Sequence, residues 1–278
     1  DIAELDDLAT SNADQLTITV ASTSATAAQL TTVAGATGLN VTATAVEAIT
    51  NSSVSEVTTL LLAEGSTGDK INLDGNFTVA INDTGSVAAA DLNTINSATS
   101  GLVTATGVAN LTGTATALNT LVSNEGDSGD KVNLDSDFTV TVSDGTTTAQ
   151  QLNTINSKTT SLITATAVST VSGSVSDLKT LIANEGTSGD KVDLKADVAI
   201  TITDTGSVAA TDLTTISAVT TGTVNAGSVA TITGFAGDIN IVYADSEISG
   251  LGNEAVTLSD TTLAASVLND LNGNTTGI

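Results

Sequence analysis

One passage of this chain is written out several times, and its period restricts the fold more than any other feature. Leu30, Leu92, Leu152 and Leu213 each open an L-x-T-[VI] run, at steps of 62, 60 and 61. Asp69, Asp130 and Asp190 of a G-D-K tripeptide step by 61 and 60, and Val46, Val108, Val168 and Val229 by 62, 60 and 61. A fixed period of about 60 residues means tandem units or a solenoid. A body of about 60 residues buries too little of its surface to be stable alone. No Pro-rich, Gly/Ser-rich or highly charged spacer separates the copies, so neighbouring units are expected to share one core. The divisions are a partial repeat at 1–29, repeats at 30–91, 92–151 and 152–212, a divergent repeat at 213–267, and the start of another at 268–278.

Each repeat reads as two strand-then-helix halves. Phe77, Val79 and Ile81 alternate with polar or small residues, as do Phe138, Val140 and Val142, and then Val198, Ile200 and Ile202. Period two with β-branched residues predicts a half-buried strand. Turns follow at 83–86 and 204–207, and then Ala88, Leu92 and Ile95 (again Ala209, Leu213 and Ile216) share one helix face. The second half opens with L-[VI]-T-A-T at 102–106 and 162–166, and a short strand carrying Val168 and Val171 follows. A stronger helix comes next, with apolar faces Val54, Val57, Leu60, Leu61 and Val175, Leu178, Leu181, Ile182. Ser53-x-x-Glu56 and Ser174-x-x-Asp177 predict capping boxes, whereas Thr114 with Ala117 has half of one. Gly65, Gly126 and Gly186 fall just past the helix end, where a left-handed residue is expected. In the divergent repeat Ile239 and Ile241 alternate, which fits a strand in place of the helix, and the loop at 249–253 lacks G-D-K. The step from Leu213 to Leu268 is only 55, a shortening assigned to that loop.

Charge narrows the partners. The chain carries 31 acidic and 6 basic residues for a net charge of −25, with no His. Phosphate binding needs Lys and Arg, so nucleic acid and anionic membrane surfaces are poor partners. Such a chain favours high ionic strength, where the Debye length falls to about 3 Å at 1 M salt. The mean hydropathy of +0.26 and the β-branched content argue against disorder. No apolar run approaches the ~20 residues of a membrane span, so membrane insertion is not expected. The chain begins at Asp1 without Met or a signal-like segment and reads as a piece of a longer or processed protein.

Without His or Cys, neither a Ser-His-Asp nor a Cys-His nucleophile can be built, so the chain is read as non-enzymatic. The acidic loops are the constellation suited to a ligand: Glu64, Asp69 and Asp74; Glu125, Asp130 and Asp135; Glu185, Asp190 and Asp193, with Asp127, Asp137 and Asp197 beside them. Carboxylates in a glycine-containing loop suit Ca²⁺, which takes six to eight oxygen ligands. Equally, these are solvated turns in which Lys70, Lys131 and Lys191 partly neutralise the Asp; the spacing matches neither an EF-hand nor a G-G-x-G-x-D nonapeptide. Thr42–Thr44, Thr104–Thr106 and Thr164–Thr166, with Thr201 and Thr203, would form a flat hydroxyl array of ice-binding type if the strands stacked in register, or are simply good exposed strand residues.

Three passages carry a resemblance: Gly101-Leu102-Val103-Thr104-Ala105-Thr106 with its copies, the E-G-x-x-G-D-K loop, and residues 248–260, ISGLGNEAVTLSD. With them the chain resembles the repeat arrays of very large secreted bacterial cell-surface proteins of the marine cyanobacterial, adhesin-like type. The resemblance implies an extracellular or cell-surface location, roles in coats, attachment or motility, and calcium. The run 112–121, TGTATALNTL, also resembles repeats of phage tail fibres.

The fold expected is an elongated right-handed α/β solenoid of parallel strands and short helices, two turns per repeat, handedness following the crossover rule. Tandem small β-rich domains are the alternative. The expected role is a structural segment of an extracellular fibre, coat or adhesin stalk, associating with itself or with neighbouring repeats of a longer chain. The alternative is a binding module for a cell-surface or matrix ligand, such as a tail-fibre or Ca²⁺-dependent adhesin segment. Its ligand would be sought in the divergent repeat, around Phe235 and Tyr243.

Overall fold

Alternation in apolar spacing, two in one stretch and three or four in the next, sets strands and helices in turn along the chain. A computed structural model describes residues 15–68 and 70–277. It divides into two compact units between Val140 and Thr141. Each is a solenoid-like stack of parallel strands and short helices whose sheets remain open.

The first unit runs β1 (Ser24–Ala25), α1 (Ala27–Ala34), β2 (Val41–Ala43), β3 (Ala48–Ser52), α2 (Val54–Leu62), β4 (Ile71–Leu73) and β5 (Thr78–Ile81). It continues with β6 (Ser86–Ala88), α3 (Ala89–Ser97), β7 (Val103–Thr104), β8 (Asn110–Gly113), α4 (Ala115–Ser123) and β9 (Val132–Asn133), and β10 (Thr139–Val142) follows. Strands pair in parallel with the strand two places on, giving the sheet β1-β3-β5-β7-β9. Its inward row is Ala25, Ile49, Val79, Val103 and Val132 in register, all buried. Each Ile or Val of this row contributes about 1.5–3 kcal/mol by leaving water, so the row outweighs any single surface contact.

The second unit runs β11 (Thr146–Thr148), α5 (Ala149–Asn156), β12 (Ile163–Ala165), β13 (Thr170–Gly173), α6 (Val175–Ala183), β14 (Val192–Leu194) and β15 (Ala199–Ile202). Then come β16 (Ser207–Ala209), α7 (Ala210–Ser217), β17 (Val224–Asn225), β18 (Thr231–Gly234), α8 (Ala236–Ala244), β19 (Ile248–Ser249), β20 (Ala255–Leu258) and α9 (Ala265–Asn274). Its strands form β11-β13-β15-β17-β19, β16-β18-β20 and the pair β12-β14, and one inward row is Val171, Ile200, Val224 and Ile248. Pairing crosses the repeat divisions, β5 to β7 and β15 to β17, which does not fit separate tandem domains. A ladder in which every strand must donate on both sides also accords with a chain that has no Pro.

The sequence period is not two turns. Ile49, Val79, Val103 and Val132 stack at steps of 30, 24 and 29, so two successive turns advance less than one repeat. The remainder of each repeat is an extra strand with its turn, β6 in the first unit and β11 and β16 in the second. Each opens a new sheet, β6 with β8, β11 with β13, and β16 with β18. Every second helix is thus led by a strand in a fresh sheet.

Helix starts follow the sequence closely. Ser53 and Glu56 form the reciprocal box, Glu56 N–H to Ser53 Oγ at 3.2 Å and Ser53 N–H to Glu56 Oε2 at 2.7 Å. Ser174 accepts from the Asp177 amide at 3.1 Å, but the shorter Asp side chain meets the Ser174 hydroxyl (2.7 Å) rather than its amide. Thr114 caps through its hydroxyl alone, and further boxes occur at Thr26–Gln29 and Thr148–Gln151. Between helices, Asn93 Nδ2 donates to the Ala117 carbonyl (2.8 Å) and Asn153 Nδ2 to that of Asp177 (2.9 Å).

Candidate functional site

The acidic loop is a closed excursion between a helix and the strand that follows. Its ends are tied by Gly186 N–H to Val192 O (3.1 Å) and Val192 N–H to Asn184 O (2.9 Å), a pattern shared with 65–71 and 126–132. Inside it the left-handed residues are Gly68, Gly129 and Gly189, at φ of 72°, 67° and 70°, and not Gly65, Gly126 and Gly186 as expected. The helix-end glycines serve packing: a Cβ on Gly65, Gly126 or Gly186 would lie 3.1–3.2 Å from the stem of Lys70, Lys131 or Lys191. The lysines run back along the loop. Lys70 Nζ donates to Leu62 O (3.0 Å) and Lys191 Nζ to Ala183 O (3.2 Å), placing a cation at the negative end of a helix.

The carboxylates of this loop spread outward. Glu64, Asp74, Asp130, Asp135, Glu185 and Asp190 are exposed, Glu125 and Asp193 are half-buried, and Asp69 lies outside the described residues. Among the described residues no three acidic side chains come together as a metal site would require. Lys195 pairs with Asp197 at 3.0 Å, and this hydrogen bond holds the Asp197 carboxyl below its ordinary value. The outward threonine rows are interrupted. Thr104 stands between Ala80 and Asn133, Thr42 opposite Asn72, Thr164 opposite Asp193, and Thr201 between Ser172 and Asn225. That is no flat hydroxyl array.

Other aspartates have a task that the sequence reading missed. Asp83, Asp204 and Asp260, in the turn after a strand, each reach back one coil. Their Oδ2 atoms accept the first amides of α2 (Val54), α6 (Val175) and α8 (Ala236), each at 2.7 Å. A carboxylate there satisfies an orphan donor and meets the positive end of the helix. The recurrence of Asp83, Asp204 and Asp260 was the available signal.

The divergent repeat holds the one departure from this scheme. Residues 236–244 are the helix α8 and not a strand: Ile239 is buried while Ile241 is 58% exposed, the contrast a helix gives. The shortening falls immediately after α8, where Asp245, Ser246 and Glu247 alone lead into β19. Consequently the step from Val224 to its Cα partner Ile248 is shorter than that from Ile163 to Val192.

This register puts Glu254 where Phe77, Phe138 and Val198 stand, directly before a strand. A second device fixes the equivalence. The hydroxyl of Thr99 donates to Phe77 O, that of Thr220 to Val198 O (2.6 Å), and that of Thr275 to Glu254 O (2.6 Å). Each then accepts from the amide two residues on: Gly101 (3.0 Å), Gly222 (2.8 Å) and Gly277 (3.0 Å). Glycine is required at Gly101, where a Cβ would stand 2.3 Å from Phe77 O.

Glu254 is therefore a carboxylate in an apolar core position, 2% exposed. The Tyr243 hydroxyl donates to its Oε1; the amides of Gly252 (2.7 Å) and Asn253 (3.0 Å) donate to its Oε2. Burial pushes the carboxyl up, but the hydrogen bonds from Tyr243 and these amides outweigh it and hold Glu254 below its ordinary value. Burial and the adjoining carboxylate push the Tyr243 phenol well above its own. A cavity of about 230 Å³, lined by Val242, Tyr243, Ile248, Ser249, Leu251 and Asn274, adjoins the pair. Phe235, at the opposite end of α8 from Tyr243, is 57% exposed. No family model, curated protein or solved structure matches the chain.

Proposed function

We propose that this chain is a non-enzymatic structural segment of an extracellular fibre, surface coat or adhesin stalk, one stretch of a repeating stack. The observation that supports the reading is how the chemistry-bearing side chains are used. Asp83, Asp204 and Asp260 cap helices of the neighbouring coil, and Lys70 and Lys191 close helix ends. Polar side chains given over to joints, in the same way from repeat to repeat, fit a load-carrying stack. An extracellular place rests on the resemblance drawn from the repeat motifs and on an acidic surface suited to salt.

The second reading, a binding module, is favoured by one observation: the departures gather in a single repeat, at Phe235, Ile241, Tyr243 and Glu254. Immunogold labelling of intact producing cells with an antibody to this chain tests the first reading. Label outside the cell, along fibres or a coat, is the expected result; label confined to the cytoplasm would overturn it.

A further inference from the structure

We propose that Glu254 is an acid-operated latch: protonating it releases residues 252–277 from α8 while the earlier coils of the second unit stay stacked. This goes beyond the structural role above and does not depend on it. The geometry begins with the exchange of an apolar residue for a carboxylate at a position that Phe77, Phe138 and Val198 fill elsewhere. That carboxylate gathers a phenol from α8 and two amides from the turn at 252–253. The segment after α9 grips the same turn: Thr275 Oγ1 holds Glu254 O, while the Thr276 amide (2.8 Å) and hydroxyl (3.0 Å) hold Gly252 O. Two elements thus meet at the carboxylate itself, and the third holds the backbone of the same turn.

Little apolar burial competes with it. Val256 and Leu258 of β20 are half-buried, and within α9 Leu271 is buried while Leu268 is half-exposed. The charged and titratable groups around the latch are Asp238 and Tyr243 on α8, Asp245 and Glu247 before β19, Asp260 after β20, and Asp270 on α9; β18 carries none. No Lys or Arg follows Lys195 in the chain, so no cation replaces the lost bonds when Glu254 is neutralised. The cavity beside Tyr243 gives solvent protons a route to the pair. The sign follows from the carboxyl being held below its ordinary value of 4.5. Its stabilisation is present above that value and is lost as pH falls through the lower, folded one.

Amide hydrogen exchange tests the latch, expressed as protection factors at pH 7 and pH 2 in 1 M NaCl, which screens the exposed acidic groups. Wild type should lose protection at 255–277 at pH 2, with β11–β17 still protected. Glu254→Val, the residue native at Val198, and Glu254→Gln, which keeps the shape without the charge, should each lose clearly less protection than wild type between pH 7 and pH 2, the tie from Asp260 to Ala236 being common to all three. Three results would overturn the proposal: unchanged wild-type protection at pH 2, an equal acid loss in Glu254→Gln, or simultaneous loss across the whole unit.

Discussion

Val54, Val175 and Ala236 each begin a helix with an amide that no earlier turn of that helix can satisfy, and each donates to an aspartate from the following coil. Removing such an acceptor costs about 0.5–2 kcal/mol, typically ~1. Asp204→Ala should therefore lower the unfolding free energy by about 1 kcal/mol in urea melts, and Asp204→Asn by less, since an acceptor remains. Asp190→Ala, at an exposed loop tip, should stay within ~0.5 kcal/mol of wild type. Equal losses at 190 and 204 would remove the cap from the account. Tyr243 offers a second test, because it is the only tyrosine in a chain without Trp. A phenol whose folded pKa is raised contributes stability that is complete below its ordinary value of 10.0 and is lost as pH rises through the folded one. Absorbance at 295 nm should show Tyr243 un-ionised at pH 10.5 in folded wild type, with ionisation moving to lower pH in Glu254→Gln. A phenol titrating at its ordinary value in folded wild type would contradict the buried pair.

At the scale of elements, the loop at 185–191 shows why a motif with a carboxylate, glycines and a lysine misleads when read for ligands. Its lysine stem lies over Gly186 and its ammonium over the end of α6, so the loop works as a helix terminator. Lys191→Met, which keeps the stem and removes the charge, should cost about 0.3–1 kcal/mol. Gly189→Ala, forced to the left-handed φ of 70°, should cost about 1–2 kcal/mol. The periodic elements were legible because each repeats its apolar spacing: Val175, Leu178 and Leu181 are buried where a helix face requires it. The inter-coil caps were not, since nothing local in D-T-G-S tells which helix its aspartate reaches. Glu254 was hidden for a related reason. Only when Ile248 is placed opposite Val224 does Glu254 fall on the Val198 position, and the shortened connection after α8 obscures that alignment. The likeness of Ile239 and Ile241 to a strand failed because two alternating positions cannot outweigh the helical burial of the whole segment 236–244.

At the scale of the molecule, stability in each unit rests on continuous inward rows such as Val171-Ile200-Val224-Ile248. Ile200→Ala should cost about 2–5 kcal/mol, as large-to-small changes in packed cores do. Diverging carboxylates predict that millimolar Ca²⁺ moves Tm no more than matched Mg²⁺ at high ionic strength. A site filled at 100 times its Kd would add about 2.7 kcal/mol, and a Ca²⁺-specific rise of that size would restore the loops as metal sites. Parallel stacking of coils in a defined register is open to direct test because the chain has no Cys. Thr201 and Asn225 are Cα partners on the outward face, and neighbouring strands lie within the roughly 4.4–6.8 Å Cα separation that a disulfide spans. The measurement is mild oxidation of T201C/N225C beside the out-of-register pair T203C/N225C. An intramolecular disulfide is expected in the first, formed without loss of the folded circular dichroism spectrum, and none in the second. Cross-linking in the control alone, or only between molecules in both, would contradict the stacked register.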